Sequence, residues 1–425
     1  MRAPYEATCV AYGRRAAFAP EETRVDTGGD GWIVGRGPIG PQPISAAFGD
    51  LLDIAAVVYR CERQLPRRSA GNANVRYELV LPVSAPGLWR RKPSGILEEL
   101  LGFLGMATWN LRFVQRPSRT RRYSAPSPLQ HRVTRIALLS GGLDSLCGTG
   151  AGLVSASDTQ FCSFYTRQQK LQAQLAGQLG FPPPTQWRLQ GSGGPGRSFY
   201  YRSFLFLALA AATAETFGAR EIVQFENGIL ASAVPPVPSL AVTRHAHPRL
   251  HSLFAQLLAS LLNQQWQVTN PLWQMTKRQA VAEMRSNLGP KTSDVLAAMT
   301  RSCWNLSAPH VFGVRNFSGQ TKHANQQCGV CVPCIIRRTA LPTERFAFDL
   351  TQDAVRNHPK LGAHFFEYVE FVSAIRAAST PAQLRASLPA EALDLIDGGW
   401  TNLESLDNLL HEFAAEFVAT FGLRV

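Results

Sequence analysis

The sequence predicts an α/β fold: a parallel sheet with helices on both faces, an N-terminal α+β region before it and a C-terminal helical region after it. Three observations predict this. Between residues 132 and 230 short apolar runs alternate with helix-period segments, the pattern of strand–helix–strand units that build parallel sheets. Ahead of them, two strand-like segments flank a single helix. Beyond Cys334 the apolar spacing is helical only.

Taken in order, residues 1–45 are punctuated by Gly and Pro and only weakly periodic. Residues 50–61 (DLLDIAAVVYRC) fit a strand or the start of a helix. Residues 75–83 (VRYELVLPV) alternate as a strand, 94–105 (SGILEELLGFLG) carry a helical period, and 108–113 (TWNLRF) alternate again. Residues 1–115 thus form the predicted N-terminal α+β domain, and 116–131, opening with RPSRTRRY and SAPSP, a basic, solvated linker. Within 132–342, strands are expected at 135–139, 160–165 and 221–225, and helices after residue 145, at 167–179 and at 204–216. Residues 343–425 are the helical region, with apolar helix spacing at 353–378 and 403–421.

The chain has 425 residues, of which 45% are hydrophobic, enough for substantial cores and too many for wholesale disorder. Lys+Arg number 43 against 30 Asp+Glu, a net +13 that suits anionic partners: ATP, RNA or acidic protein surfaces. The N-terminus lacks a signal-peptide apolar core, and the longest apolar run, 204–212, is too short to span a bilayer. A cytoplasmic setting is expected. Eight cysteines, half of them within 303–334, suggest one metal site and scattered thiols rather than a disulfide framework.

SGGLDS, at Ser140, Gly141, Gly142, Leu143, Asp144 and Ser145, follows an apolar strand and opens a helix. Adjacent glycines let main-chain N–H groups approach phosphate oxygens, and the helix N-terminus adds favourable partial charge. Ser140 and Ser145 can donate to the same phosphates. Asp144 beside phosphate calls for a cation, so it is the candidate Mg²⁺ ligand. The plainer reading is a Gly-Gly turn with Ser and Asp as caps; the strand immediately before it favours the phosphate site. Neither GxxxxGK[ST] nor GxGxxG is present.

The spacing Cys328-x₂-Cys331-x₂-Cys334 is that of a knuckle aiming three sulfurs at one point. Cys303 is the best fourth ligand, with His310 and His323 as alternatives. Four thiolates would make a structural zinc site; an iron–sulfur cluster is the competing occupant. Cys147 and Cys162 read as packed thiols, and Trp266 and Trp273 as core.

SGGLDS is the form carried by the PP-loop ATP pyrophosphatases, and together with the knuckle it resembles the QueC (7-cyano-7-deazaguanine synthase) family over residues 132–342. The resemblance implies an adenine nucleotide alpha-hydrolase-like fold. It places Tyr165 and Gln168 at a nucleotide-binding motif after the second strand and Arg202 near the nucleotide or its pyrophosphate, and it implies Arg202 and Lys277 (in NPLWQMTKRQAV), together with Ser140, Asp144 and Ser145, as catalytic residues. It maps Cys303, Cys328, Cys331 and Cys334 onto four structural zinc ligands. The implied reaction is adenylation of 7-carboxy-7-deazaguanine by ATP with release of pyrophosphate, followed by transfer to an amine; the family proceeds through the amide to the nitrile. Where the biosynthetic members carry a Tyr-Pro-Asp-Cys-Arg type segment, this chain has Glu226-Asn227-Gly228 and TRHAHP at 243–248. With its extra terminal regions it resembles the divergent QatC-type members of anti-phage systems, which implies an acceptor amine on a partner protein of a defence operon. Glu226 and Asn227, just past a strand end, and Arg244 and His247 are the candidate substrate residues; turn and loop packing are their plainer readings. Competing functions are ordinary queuosine biosynthesis, a tRNA-modifying PP-loop enzyme supported by the basic charge, and a zinc-stapled scaffold without catalysis.

Overall fold

The computed structural model describes residues 6–12, 21–26, 33–36, 41–64, 75–90, 92–116, 124–126, 132–164, 168–189, 200–234, 244–304 and 327–423. In chain order its elements begin β1 (Glu6–Tyr12), β2 (Glu21–Asp26), β3 (Ile33–Arg36), β4 (Pro41–Pro43), α1 (Ala46–Gln64), β5 (Val75–Val83), α2 (Lys92–Gly105), β6 (Ala107–Gln115), β7 (Ser124–Pro126) and β8 (Arg135–Leu138). There follow α3 (Leu143–Gly150), β9 (Thr159–Phe164), α4 (Gln169–Gln178), β10 (Thr185–Leu189), α5 (Arg202–Phe217), β11 (Glu221–Val223), α6 (Gly228–Ala231), α7 (Pro248–Leu262) and β12 (Gln267–Thr269). The remainder is helical: α8 (Lys277–Leu288), α9 (Pro290–Met299), α10 (Val332–Ala340), α11 (Asp353–Arg356), α12 (Ala363–Ala377), α13 (Pro381–Ser387), α14 (Ala390–Asp397) and α15 (Leu403–Phe421). Two units share these elements, one of residues 1–140, 154–224 and 243–270, the other of 141–153, 225–242 and 271–425.

The first unit holds every described strand. Its six-stranded sheet runs β12-β11-β8-β9-β10-β3, parallel except for β3, which pairs antiparallel to β10 at the edge. Helix α5 is apolar nearly all round because it is covered on all sides: it packs on β8, β9 and β11 and against α1. A second sheet, β2-β1-β5-β6, is antiparallel at β1 and parallel between β5 and β6, with α2 as the crossover. The strand–helix–strand expected at 75–113 is this unit. Residues 50–61 resolve as part of α1, whose buried Asp50 and Asp53 are paired with Arg116. Four strands arise within residues 1–45, where periodicity is weak. Gly and Pro separate them or fall within β3 and β4, and β2 has a single apolar residue, so they leave little side-chain signature.

The second unit is all-helical among the described residues. Its core joins Cys328, Cys331, Cys334, Ile335, Phe346 and Phe348 to the C-terminal helices. Phe365, Tyr368, Phe413 and Phe417 interlock there in stacked, tilted and edge-to-face pairs. The helical run expected over 353–378 is broken between α11 and α12, where the chain turns through 357–362 with Pro359 in the turn. Of the basic linker, residues 117–123 and 127–131 lie outside the described residues, and 124–126 pairs with β4.

Candidate active site and cysteine cluster

The glycine turn is built as its residue types require. Gly141 has φ +81, a backbone conformation that L side chains rarely adopt. Gly142 is extended and serves as N-cap of α3, and the Ser145 hydroxyl donates to its carbonyl at 3.0 Å. The turn is fastened by the segment that leads to Cys303: the Arg301 N–H donates to the Gly141 carbonyl (2.9 Å) and the Leu143 N–H to Ser302 Oγ (3.4 Å). In the first unit, Gln172 Nε2 donates to the carbonyl of the exposed Ser140 (3.2 Å) and Ser163 Oγ to that of Leu139 (2.9 Å). Neither Gln172 nor Ser302 was marked by the sequence. Both act through main-chain atoms far away in the chain, and such bonds carry no local motif.

Asp144, in the first turn of α3, is the hub of the site. Lys277 Nζ reaches its Oδ2 at 2.5 Å, with the lysine 1% exposed. The Asn227 main-chain N–H and Nδ2 donate to its Oδ1 at 3.3 and 3.1 Å. Asn227 Nδ2 also donates to Glu226 Oε1 (3.0 Å), and Asn227 Oδ1 caps α6 by accepting from the Leu230 N–H (3.4 Å). A buried carboxylate without such donors would be costly; here an ammonium and two N–H groups compensate it. Lys277 is the first residue of α8, whose N-cap Thr276 forms a reciprocal capping box with Gln279. That Thr-x-x-Gln pattern is legible in the sequence and could have placed Lys277 at a helix start. Asn227, expected to meet substrate, has its side chain engaged with Asp144 and Glu226.

The four cysteines expected as a ligand set come together. Cys303, Cys328, Cys331 and Cys334 offer sulfurs all within 4.8 Å of one another, the last three buried. Cys328 and Cys334 sulfurs stand 3.8 Å apart, and Cys331 and Cys303 4.0 Å. Zn–S bonds of about 2.3 Å in a tetrahedron place sulfurs about 3.8 Å apart, so the spacing fits a zinc ion. Burial and the adjoining sulfurs push the Cys331 and Cys334 thiols well above their ordinary range, whereas hydrogen bonding from Cys328, Cys331 and Cys334 pulls Cys303 below it. A bound cation would relieve that conflict by holding all four as thiolates. His310 and His323 lie outside the described residues.

The other expected residues have their own contacts. Arg202 opens α5, exposed, its guanidinium 5.7 Å from the Phe206 ring centre, and Gln168 is the N-cap of α4. Tyr165 lies outside the described residues. Arg244 donates to the Phe103 carbonyl at 2.5 Å and stacks on that ring, while the fully buried His247 caps α7 by accepting from the Arg249 N–H. Cys147 and Cys162 are buried, and burial drives both thiols up, Cys162 to about 12. Such thiols are poor nucleophiles. Trp266 is buried beneath Arg220, and Trp273 is half-buried.

Residues 195–344 match the family model of QueC, the queuosine biosynthesis protein. The chain is therefore QueC-like over a segment that includes Asn227, Lys277 and all four clustered cysteines. No curated protein matches it in sequence. Among the described residues, no helix is long and apolar enough to cross a membrane.

Proposed function

We propose, from the QueC-like character of residues 195–344, that the chain is an ATP-using synthase acting on a 7-deazaguanine carboxylate. The observation that carries this is the Asp144 site. A positive-φ glycine turn opens a helix, and the first-turn carboxylate after it is held by Lys277 and Asn227. Main-chain N–H groups of the turn and the Lys277 ammonium supply fixed positive potential for triphosphate oxygens. Mg²⁺, the expected partner of Asp144, would shield the β- and γ-phosphates from its carboxylate. In the reaction a substrate carboxylate oxygen bonds to the α-phosphorus and the bond from that phosphorus to the bridging oxygen breaks, releasing pyrophosphate. An amine then takes the acyl carbon and AMP leaves. No covalent protein nucleophile is required, so positioning supplies most of the rate. Zinc at the cysteine cluster is structural, since four protein sulfurs leave no open position.

The finer part of the proposal is the acceptor: an amine of a partner protein in a defence system rather than ammonia, motivated by the departures at 226–228 and 243–248 and by the long flanking regions. The test incubates the purified chain with ATP, Mg²⁺ and 7-carboxy-7-deazaguanine and measures pyrophosphate and AMP. Carboxylate-dependent release is expected, falling at least about 100-fold in Asp144→Ala. Release without the carboxylate, or unchanged in that variant, would refute the assignment. With ammonia supplied, a nitrile as sole product in the presence of co-expressed partners would refute the protein acceptor.

A further inference from the structure

The C-terminal helix α15 lies outside the QueC-like segment, yet it touches both turns that hold Asp144. Glu416 on α15 is buried, and its Oε1 accepts from Thr276 Oγ at 2.6 Å. Thr276 is the residue before Lys277, and the same hydroxyl accepts from the Gln279 N–H at 3.1 Å to cap α8. The residue after Lys277, Arg278, donates to Thr420 Oγ1 on α15 (3.0 Å) and to the Thr339 carbonyl on α10 (2.7 Å). Two turns before Glu416, on the same face of α15, Leu409 presses on Gly228, the residue after Asn227. A Cβ on Gly228 would come within 2.7 Å of Leu409 and 2.4 Å of the Trp273 carbonyl. The Gly228 N–H donates to the Met275 carbonyl at 2.7 Å, which ties the two turns to each other.

We infer that α15 is a working part of the Asp144 site and that Glu416 is a positioning residue for Lys277, setting the ammonium through the Thr276 cap. The inference rests on the adenylation reading, which it deepens. Glu416 is not there for packing: a leucine would fill the space without burying a carboxyl whose Oε2 has no hydrogen-bond partner among the described residues. What the carboxyl supplies is an acceptor that fixes the Thr276 hydroxyl as donor, leaving its lone pair for the α8 amide. Burial raises the Glu416 pKa to about 7, against the pull of the Thr276 hydroxyl and Arg278 and with a further push from Glu412.

The test compares Glu416→Leu, Glu416→Gln and the native full-length chain. It reads pyrophosphate release at varied ATP from pH 6 to 8, and hydrogen exchange of the peptide spanning 276–282. Glu416→Leu is expected to lower kcat about tenfold or more with KM for ATP little changed, because a displaced ammonium acts on the transition state. Glu416→Gln, still an acceptor, is expected to recover most of that loss and to erase a kcat inflection near pH 7. Exchange in 276–282 should quicken in the leucine variant alone. Native kcat in Glu416→Leu, or a loss that glutamine does not rescue, would overturn the inference. If the native chain releases no pyrophosphate, it is the adenylation reading that falls, and exchange then decides: unchanged protection in Glu416→Leu overturns the positioning role, and faster exchange restored by glutamine supports it.

Discussion

At Asp144 the carboxylate to which the proposed function assigns the site's chemistry is also half of a buried ion pair. Lys277→Met strands that carboxylate among buried neighbours and is expected to destabilise the protein by about 3–5 kcal/mol, measured by denaturant unfolding. Adding Asp144→Asn removes the uncompensated charge, so the double variant should regain much of the stability and none of the activity. An equal loss in single and double variants would show that the pair is not coupled. Gly141→Ala forces a Cβ into the left-handed region and should cost about 1–2 kcal/mol. At this scale the sequence was most legible where chemistry is local. SGGLDS marked Asp144, and the knuckle spacing marked three cysteines. The pairing of Asn227 with Asp144 across 83 residues was not legible, because only the folded chain brings them together.

Among elements, α8 carries the most consequence per residue, since its cap sets where Lys277 begins. Thr276→Val removes a hydroxyl that caps the helix and serves Glu416; a loss of about 1 kcal/mol is expected from the cap, read as a lower urea midpoint at unchanged m. Titration of Glu416 gives a second check. Its folded pKa is raised from 4.5 to about 7, so the ionised form is disfavoured in the native state. Its contribution is therefore fully present below pH 4.5 and is lost as pH rises toward 7. Relative to Glu416→Gln, the native protein should lose stability across that window, and parallel profiles would contradict the assignment. The strands and helices of 75–113, and β8, α3, β9, α4, α5 and β11 after them, were readable from their apolar periods. Strands β10 and β12 were not, for TQWRL and QVT hold too few apolar residues to form a run or an alternation. The edge strand β3 was hidden among glycines, its place fixed by pairing with β10.

For the whole molecule, the α/β class and the helical C-terminal region follow from alternation and helical spacing. That the division into two units falls inside SGGLDS, after Ser140, has no sequence signature. The cysteine cluster has reach beyond its own loop. Arg301 and Ser302, next to Cys303, bond to Gly141 and Leu143, and Ser302 N–H donates to Gln327 beside Cys328 (3.1 Å). Stripping metal with a chelator, or Cys331→Ser, should therefore weaken nucleotide binding as well as lower the melting temperature; chelation that leaves both unchanged would remove the metal from the account. The most direct measurement is calorimetric titration of the metal-replete chain with Mg²⁺ and an ATP analogue whose α–β bridge is a methylene, native against Asp144→Ala. Saturable binding in the native chain, lost or at least about tenfold weaker in the variant, is the predicted result. No binding to the folded native chain, or equal binding by both, would contradict the claim that the glycine turn and Asp144 form a nucleotide site.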